Sequence, residues 1–257
     1  MTVAVITLSE EGANLATRLS SALPDSHIYL HGAVSESWTG ERFAGILELT
    51  EEIFRKYSGL IYITPCGVAV RAIAPHLTHK TRDPAVVVVD AGARWAISLL
   101  SGHEGGANEL AVTVGNILSA EPVISTTTEA LKNLIVGIGC RKGIESERII
   151  EAVTTTLKEA NLDLARVRLL SSADVKANEK GLLVAAQQLR IPVRFMSSDE
   201  IRGCTRDFQK SNFVEEHVNV PAVAEPCALL AGRRTRLVIR RKTLNGVTVA
   251  VAEESCM

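Results

Sequence analysis

The stretch from Asp83 to Asn108, DPAVVVVDAGARWAISLLSGHEGGAN, constrains the fold of this 257-residue chain more than any other, because two short apolar runs stand there in tandem and then break into glycine. Ala85 to Val89 and Trp95 to Leu100 are nearly continuous and rich in Val, Ile and Leu, a pattern that predicts strands covered on both faces. Asp90-Ala91-Gly92 supplies the turn between them. After Leu100 come Ser101-Gly102-His103-Glu104-Gly105-Gly106, and Ala107 to Leu118 then sets Leu110, Val114, Ile117 and Leu118 on one side of a helix. Glycines at such a junction let backbone approach a ligand closely. They also leave amides free at a helix N-terminus, where the dipole favours anions such as a carboxylate.

The rest of the chain alternates in the same way. Val3 to Leu8 is a strand, and Glu10 to Leu23 a helix with Leu15, Leu19 and Leu23 four apart, stopped by Pro24. His27 to Leu30 adds a second strand. Thr39 has the character of an N-cap for a helix carrying Phe43, Ile46, Leu47, Leu49, Ile53 and Phe54. Leu60 to Ile63 is the next strand, followed by Pro65-Cys66-Gly67 and a short helical piece to Ala74, and Pro122 to Ser125 closes the unit. A second unit starts near Leu134, with Leu134 to Val136 leading into Gly137-Ile138-Gly139-Cys140-Arg141-Lys142-Gly143 and a helix from Ser146 to Ala160. Further strands are expected at Val167 to Leu170, Val193 to Met196, Arg236 to Ile239 and Val247 to Val251, and helices at Gly181 to Leu189 and Glu225 to Ala231. The expectation is therefore two α/β domains with mostly parallel sheets, 1–130 and 131–257, packed to form a cleft, with ligands beyond the carboxyl ends of the strands.

Composition narrows the function. A net charge of −1 provides no field that draws the chain to nucleic acid or to membranes. No apolar run approaches eighteen residues, and the first residues lack a basic n-region, so a cytoplasmic protein is expected. Five widely spaced cysteines form no CxxC pair to clip a metal or make a redox centre. GIGCRKG has the spacing GxGxxxG rather than GxGxxG, with no acid closing a strand about twenty residues on, which argues against a dinucleotide site. His76 and His79 stand at helical spacing, but beside Pro75 and without a third ligand nearby in sequence. Lys176 and Glu179 read as a surface pair, and Cys66 and Cys140 as small cysteines at strand ends.

Several blocks resemble a known family. GVAVRAIAP, KTRDPAVVVVD, ISLLSGHEGGANELA and PVISTTTE resemble the N-terminal domain of the CbiG family, the cobalt-precorrin-5A hydrolases of anaerobic cobalamin synthesis. GIGCRKG, the segment around DVKANEKGL, AVAEPCALLAG and GVTVAVAEE resemble that family's C-terminal domain, related to the small protein CobE. Longer relatives carry an intervening segment that is lacking here, since Thr128 runs into GIGC within about ten residues.

The resemblance implies opening of the δ-lactone of a ring-contracted cobalt tetrapyrrole, with release of acetaldehyde. Such a reaction needs a base and an oxyanion partner. His103 is the expected base and Glu104 its neighbouring proton carrier; either can instead be structural, His103 as a cap and Glu104 as a solvated first-turn acid. The amides of Gly105, Gly106 and Ala107 are candidates for the oxyanion or a substrate carboxylate. Arg71, Lys80, Arg82, Arg141 and Lys142 are candidates for the other carboxylates. Gly67, Ser101, Gly102, Asn108, Gly137 and Gly139 complete the expected substrate-binding set. No metal site and no cofactor of the protein's own are expected, because cobalt arrives inside the substrate. The partners implied are that substrate, neighbouring cobalamin-pathway methyltransferases and a second copy of the chain. A non-catalytic corrinoid carrier is the alternative.

Overall fold

The computed structural model describes residues 1–209 and 219–255, and the chain divides into two compact units, Met1–Thr126 and Thr127–Met257. The first unit runs β1 (Val3–Thr7), α1 (Glu10–Ala22), β2 (Ser26–His31), β3 (Glu41–Phe43), α2 (Ile46–Ile53), β4 (Gly59–Ile63), α3 (Cys66–Ile73), β5 (Ala85–Val89), β6 (Trp95–Leu100), α4 (Ala107–Leu118) and β7 (Glu121–Val123). Its seven-stranded sheet has the order β3-β2-β1-β4-β5-β6-β7. Strands β1 to β5 are all parallel, and β1, β4 and β5 are buried along their full length. Alternate residues explain why these runs lack a polar face. Val3, Val5, Ile61, Ile63, Val87 and Val89 pack with Leu15, Leu19, Leu110 and Val114, while Ala4, Ile6, Leu60, Tyr62, Val86 and Val88 pack with Leu49, Ile53, Phe54 and Ile73. Each large side chain so buried contributes roughly 1.5–3 kcal/mol.

Two expectations fail in this unit. The helix predicted from Thr39 begins only at Ile46, because Glu41–Phe43 pairs with Tyr29–His31 as the edge strand. Arg42 fixes that edge by donating to the carbonyls of Val34, Ser35 and Trp38. Nor is β6 covered on both faces: it runs antiparallel to β5, most of its residues are half-buried, and Trp95 is exposed. Strand β7 then pairs parallel to β6. The turn into β6 is the expected one, with Asp90 accepting from the amides of Gly92, Arg94 and Trp95.

The second unit contains α5 (Thr127–Ala130), β8 (Leu134–Cys140), α6 (Ser146–Glu159), β9 (Val167–Ala173), α7 (Lys180–Leu189), β10 (Val193–Met196), α8 (Ser198–Arg202), α9 (Ala224–Leu230), β11 (Thr235–Leu244) and β12 (Val247–Glu254). The sheet order is β10-β9-β8-β12-β11, with β8, β9 and β10 parallel and β12 antiparallel to both of its neighbours. One face is covered by α6 and α7 through Ile149, Val153, Leu157, Leu182 and Ala185; the other is covered by α9, where Ala228 and Leu229 pack on Ala252. Both units are thus α/β layers with mostly parallel sheets.

Candidate active site

The reversal at β6 decides where the His103 loop lies. Leu100 pairs with Val86 and Ala96 with Val89, so β6 ends beside the start of β5. The loop that follows sits on the amino rim of the parallel strands, opposite the rim on which ligands of such sheets usually bind. Ser101, buried and with φ 57°, donates its hydroxyl to the Asp83 carbonyl at 3.0 Å and thereby ties the loop to the beginning of β5.

The loop closes on itself. The amides of Gly105 and Ala107 both donate to the Ser101 carbonyl, at 3.1 and 3.2 Å, and the Asn108 amide donates to the Gly102 carbonyl at 3.0 Å. A Cβ on Gly105 would stand 2.4 Å from Ser101 Cβ and 2.9 Å from its carbonyl oxygen, so this closure needs glycine there. Gly106 takes the left-handed conformation at the helix start, φ 85°. Two of the three amides expected to receive substrate oxygens are therefore occupied, and only that of Gly106 remains without an acceptor among the described residues. Buried Asn108 is the loop's second anchor. Its Oδ1 accepts from Ser98 Oγ at 2.8 Å and its Nδ2 donates to Thr126 Oγ1 at 3.0 Å, at the end of the first unit. Gly102 packs against Asn108 and Thr126, since a Cβ there would lie 2.7 Å from Thr126 Cγ2 and 2.8 Å from Asn108 Oδ1.

At the tip, His103 and Glu104 are exposed, and the imidazole makes no hydrogen bond among the described residues. Glu104 instead accepts an ion pair from Lys80 at 2.6 Å. That hydrogen bond holds the Glu104 carboxyl below the usual carboxylate range, so it is an anion near neutrality and carries no proton to give. Lys80 in turn is paired within the protein. The nearby Arg82 is exposed and its side chain has no partner among the described residues. Asp83 underpins this rim. Burial pushes its carboxyl up, but three hydrogen bonds from Thr78 prevail and hold it below its ordinary value. Sequence reasoning passed over Asp83, Ser98 and Thr126, although an Asp-Pro pair at a strand start is a visible anchor signal.

Gly67 and Arg71 lie elsewhere. They belong to α3, which begins at the carboxyl end of β4, and Arg71 donates to the Gly67 carbonyl at 3.3 Å. One strand length separates that rim from the His103 loop, roughly 13 Å at about 3.3 Å per residue. The two groups of candidates therefore do not share one end of the sheet. Of the other histidines, His76 stacks on Phe54 and His79 hydrogen-bonds Thr81.

In the second unit GIGCRKG is mostly strand. Gly137 and Gly139 lie inside β8, where a Cβ on Gly137 would stand 1.8 Å from the Ala224 carbonyl oxygen and 2.9 Å from the Ala228 amide nitrogen. Gly137 is there to let α9 rest on the sheet. Only Gly143, with φ 72°, shapes a turn. Arg141 lies over Gly246 in the β11–β12 turn and Lys142 is exposed, neither donating a side-chain hydrogen bond among the described residues. Lys176 and Glu179 pair as expected, but largely buried and not on the surface: their side chains keep 15% and 9% exposure. Glu179 Oε1 accepts the Gly143 amide at 3.0 Å, and Nζ of Lys176 stands 3.7 Å from Glu179 Oε2. The Cys140 thiol beside them is pushed up to about 11, chiefly by burial, against the opposing pull of Lys176.

Residues 48–129 match the family model described as Cobalamin synthesis G N-terminal, and residues 134–252 match the one described as Cobalamin synthesis G C-terminus. The chain belongs to the CbiG family. The cobalt-precorrin-5A hydrolase of Salmonella typhimurium is 25% identical over 324 residues, covering 89% of this chain and 91% of that one. The cobalt-precorrin-5A hydrolase of Priestia megaterium is 24% identical over 352 residues, covering 97% and 94%. Protein CobE of a Sinorhizobium species is 30% identical over 128 residues, covering 49% of this chain and 83% of its own. The first two alignments are longer than the 257 residues of this CbiG chain, so those relatives contain residues that it lacks. The two family matches leave only 130–133 between them. Among the described residues, no helix is long and apolar enough to cross a membrane.

Proposed function

We propose that this chain is a cobalt-precorrin-5A hydrolase, opening the δ-lactone of the ring-contracted cobalt tetrapyrrole and releasing acetaldehyde to give cobalt-precorrin-5B. The observation that carries the reading is the presence of both family matches in one chain, in N- to C-terminal order, together with two hydrolases that align along nearly their whole length.

The residues support a simple division of labour. Water attacks the lactone carbonyl, and an exposed, uncommitted imidazole at His103 is suited to take its proton. The tetrahedral oxyanion needs a donor, and of the three amides expected to supply one, that of Gly106 at the left-handed entrance to α4 is the one without an acceptor among the described residues. Collapse of the intermediate yields the ring carboxylate and a free hydroxyl on the two-carbon unit. Loss of the hydroxyl proton then forms the acetaldehyde carbonyl as the carbon–carbon bond breaks, and the electron pair and a proton go to the macrocycle. Lys80–Glu104 and the Asp83 network hold the loop, while Arg82 is the cation free to meet a substrate carboxylate. The test is direct: the purified chain mixed with cobalt-precorrin-5A should release acetaldehyde in stoichiometric amount with the ring-opened corrinoid. Binding of the substrate without acetaldehyde would make the chain a carrier and overturn the hydrolase reading.

A further inference from the structure

The His103 imidazole makes no hydrogen bond among the described residues, so no neighbouring side chain sets its direction. A general base is ordinarily aimed by a third group to which it is bonded. Here the aim must come from the backbone that carries the ring, and that backbone is fixed at two points. One is Ser101, whose hydroxyl donates to the Asp83 carbonyl. The other is Gly102, the residue immediately before His103, and Thr126 holds it.

Thr126, half-buried just past β7, presents two different groups to the loop. Its methyl bears directly on Gly102, where a Cβ would lie 2.7 Å from Thr126 Cγ2. Its hydroxyl oxygen accepts from Nδ2 of buried Asn108 at 3.0 Å. The amide held in this way also bears on Gly102: the same Cβ would lie 2.8 Å from Asn108 Oδ1, and the main-chain amide of Asn108 donates to the Gly102 carbonyl at 3.0 Å. Ser98 Oγ donates to that Oδ1 at 2.8 Å, so both ends of the side-chain amide are engaged. A buried donor deprived of its acceptor costs free energy until the group turns to find another. Any turn of the Asn108 amide shifts Oδ1 against Gly102, and the backbone of His103 moves with it. We propose that Thr126 is a positioning residue for His103: its hydroxyl, acting through Asn108 and Gly102, fixes the backbone from which the imidazole reaches the lactone. This inference rests on the hydrolase reading above, and extends it to a residue outside the loop itself.

The two groups of Thr126 can be removed separately. Thr126→Val keeps a methyl and the shape but not the acceptor, whereas Thr126→Ser keeps the acceptor but not the methyl. In the full chain turning over cobalt-precorrin-5A, Thr126→Val should lower kcat about tenfold with KM within about twofold, the pattern of a misdirected base and not of a lost substrate contact. Thr126→Ser should keep kcat within about threefold of wild type. Ser98→Ala deprives the same amide of its other partner; it should lower kcat likewise, and decides the matter if Thr126→Val does not fold. A second readout needs no substrate. In amide nitrogen–proton correlation spectra of the unliganded chain, the Gly102 and His103 resonances should move in Thr126→Val and Ser98→Ala and stay near their wild-type positions in Thr126→Ser. Wild-type kcat in Thr126→Val, equal losses in the valine and serine variants, a loss confined to KM, or loop resonances that move in neither Thr126→Val nor Ser98→Ala overturns the positioning role. A wild-type chain that releases no acetaldehyde, while its His103 resonance moves only when a partner of the Asn108 amide is removed, keeps the tie to the loop and overturns the hydrolase reading alone.

Discussion

In the first unit the glycines of Ser101–Asn108 bend the backbone into a loop that carries His103, whereas in the second unit Gly137 and Gly139 stay in an extended strand under a helix. Both runs follow an apolar strand and both precede a long helix, so in sequence they look like the same device. What separates them is the neighbour each glycine meets. Gly105 is pressed by its own loop, at Ser101, and Gly137 by a different element, at Ala224. A local contact fixes the shape of a loop; a contact with a distant helix fixes the packing of a domain.

Replacing Gly137 should therefore have the largest effect. A methyl group 1.8 Å from a backbone oxygen cannot be accommodated by a side-chain rotation, so α9 must lift from the sheet. Gly137→Ala should lose about 3 kcal/mol or more of unfolding free energy, at the upper end of overpacking costs. Gly139→Ala, where the nearest atom is 3.6 Å away, should stay within about 1 kcal/mol. Urea denaturation of the two variants side by side is the check. Equal stabilities would show that the close approach of α9 does not require glycine at Gly137.

His103 sits on the loop side of that comparison, and its substitution should leave the fold alone while removing the chemistry. The side chain is exposed and unbonded, so His103→Ala should melt within a degree or two of wild type. Lactone opening should slow by roughly a hundredfold. His103→Gln keeps a hydrogen-bonding side chain but no basic nitrogen, and should be as slow as the alanine variant. Following acetaldehyde and the ring-opened corrinoid together shows whether both steps depend on the imidazole. Wild-type turnover in both variants would make His103 a structural residue.

Much of this was legible in the sequence where the pattern was local. The alternation of apolar runs and amphipathic segments gives the two α/β layers, and the Asp90 turn and the start of α4 at Ala107 fall where turn and helix signals stand. The helix read from Thr39 is absent because an edge pairing with β2 outweighs a helical spacing of Phe43, Ile46 and Leu47. Two further facts depend on strand direction and depth, which periodicity does not carry. The antiparallel setting of β6 moves the His103 loop to the rim opposite Gly67 and Arg71. The depth of Lys176 and Glu179 likewise has no trace in a stretch rich in Lys, Asn and Glu. Asp83 and Thr126 fasten the loop at its two sides; the Asp-Pro pair marks the first in the sequence, whereas Thr126 resembles an ordinary turn residue until its partner is seen.

The smallest effect is expected from Glu104, one residue from His103 on the same loop tip. Its carboxyl is held below the usual range first by the hydrogen bond from Lys80. A depressed acid adds stability that is present above its unfolded value and lost as pH falls through the folded one, so this contribution disappears only well into the acid range. The pair is solvent-exposed, with side-chain exposures of 68% for Lys80 and 36% for Glu104, and screening keeps its contribution small. Glu104→Gln should accordingly leave lactone opening within about threefold of wild type, with no change in the acid limb of the pH–rate profile. Raising the salt concentration should shrink even that difference. If Glu104→Gln instead matched His103→Ala in rate, and the acid limb moved with it, the carboxylate would be the base. The imidazole would then be the group that merely stands beside it.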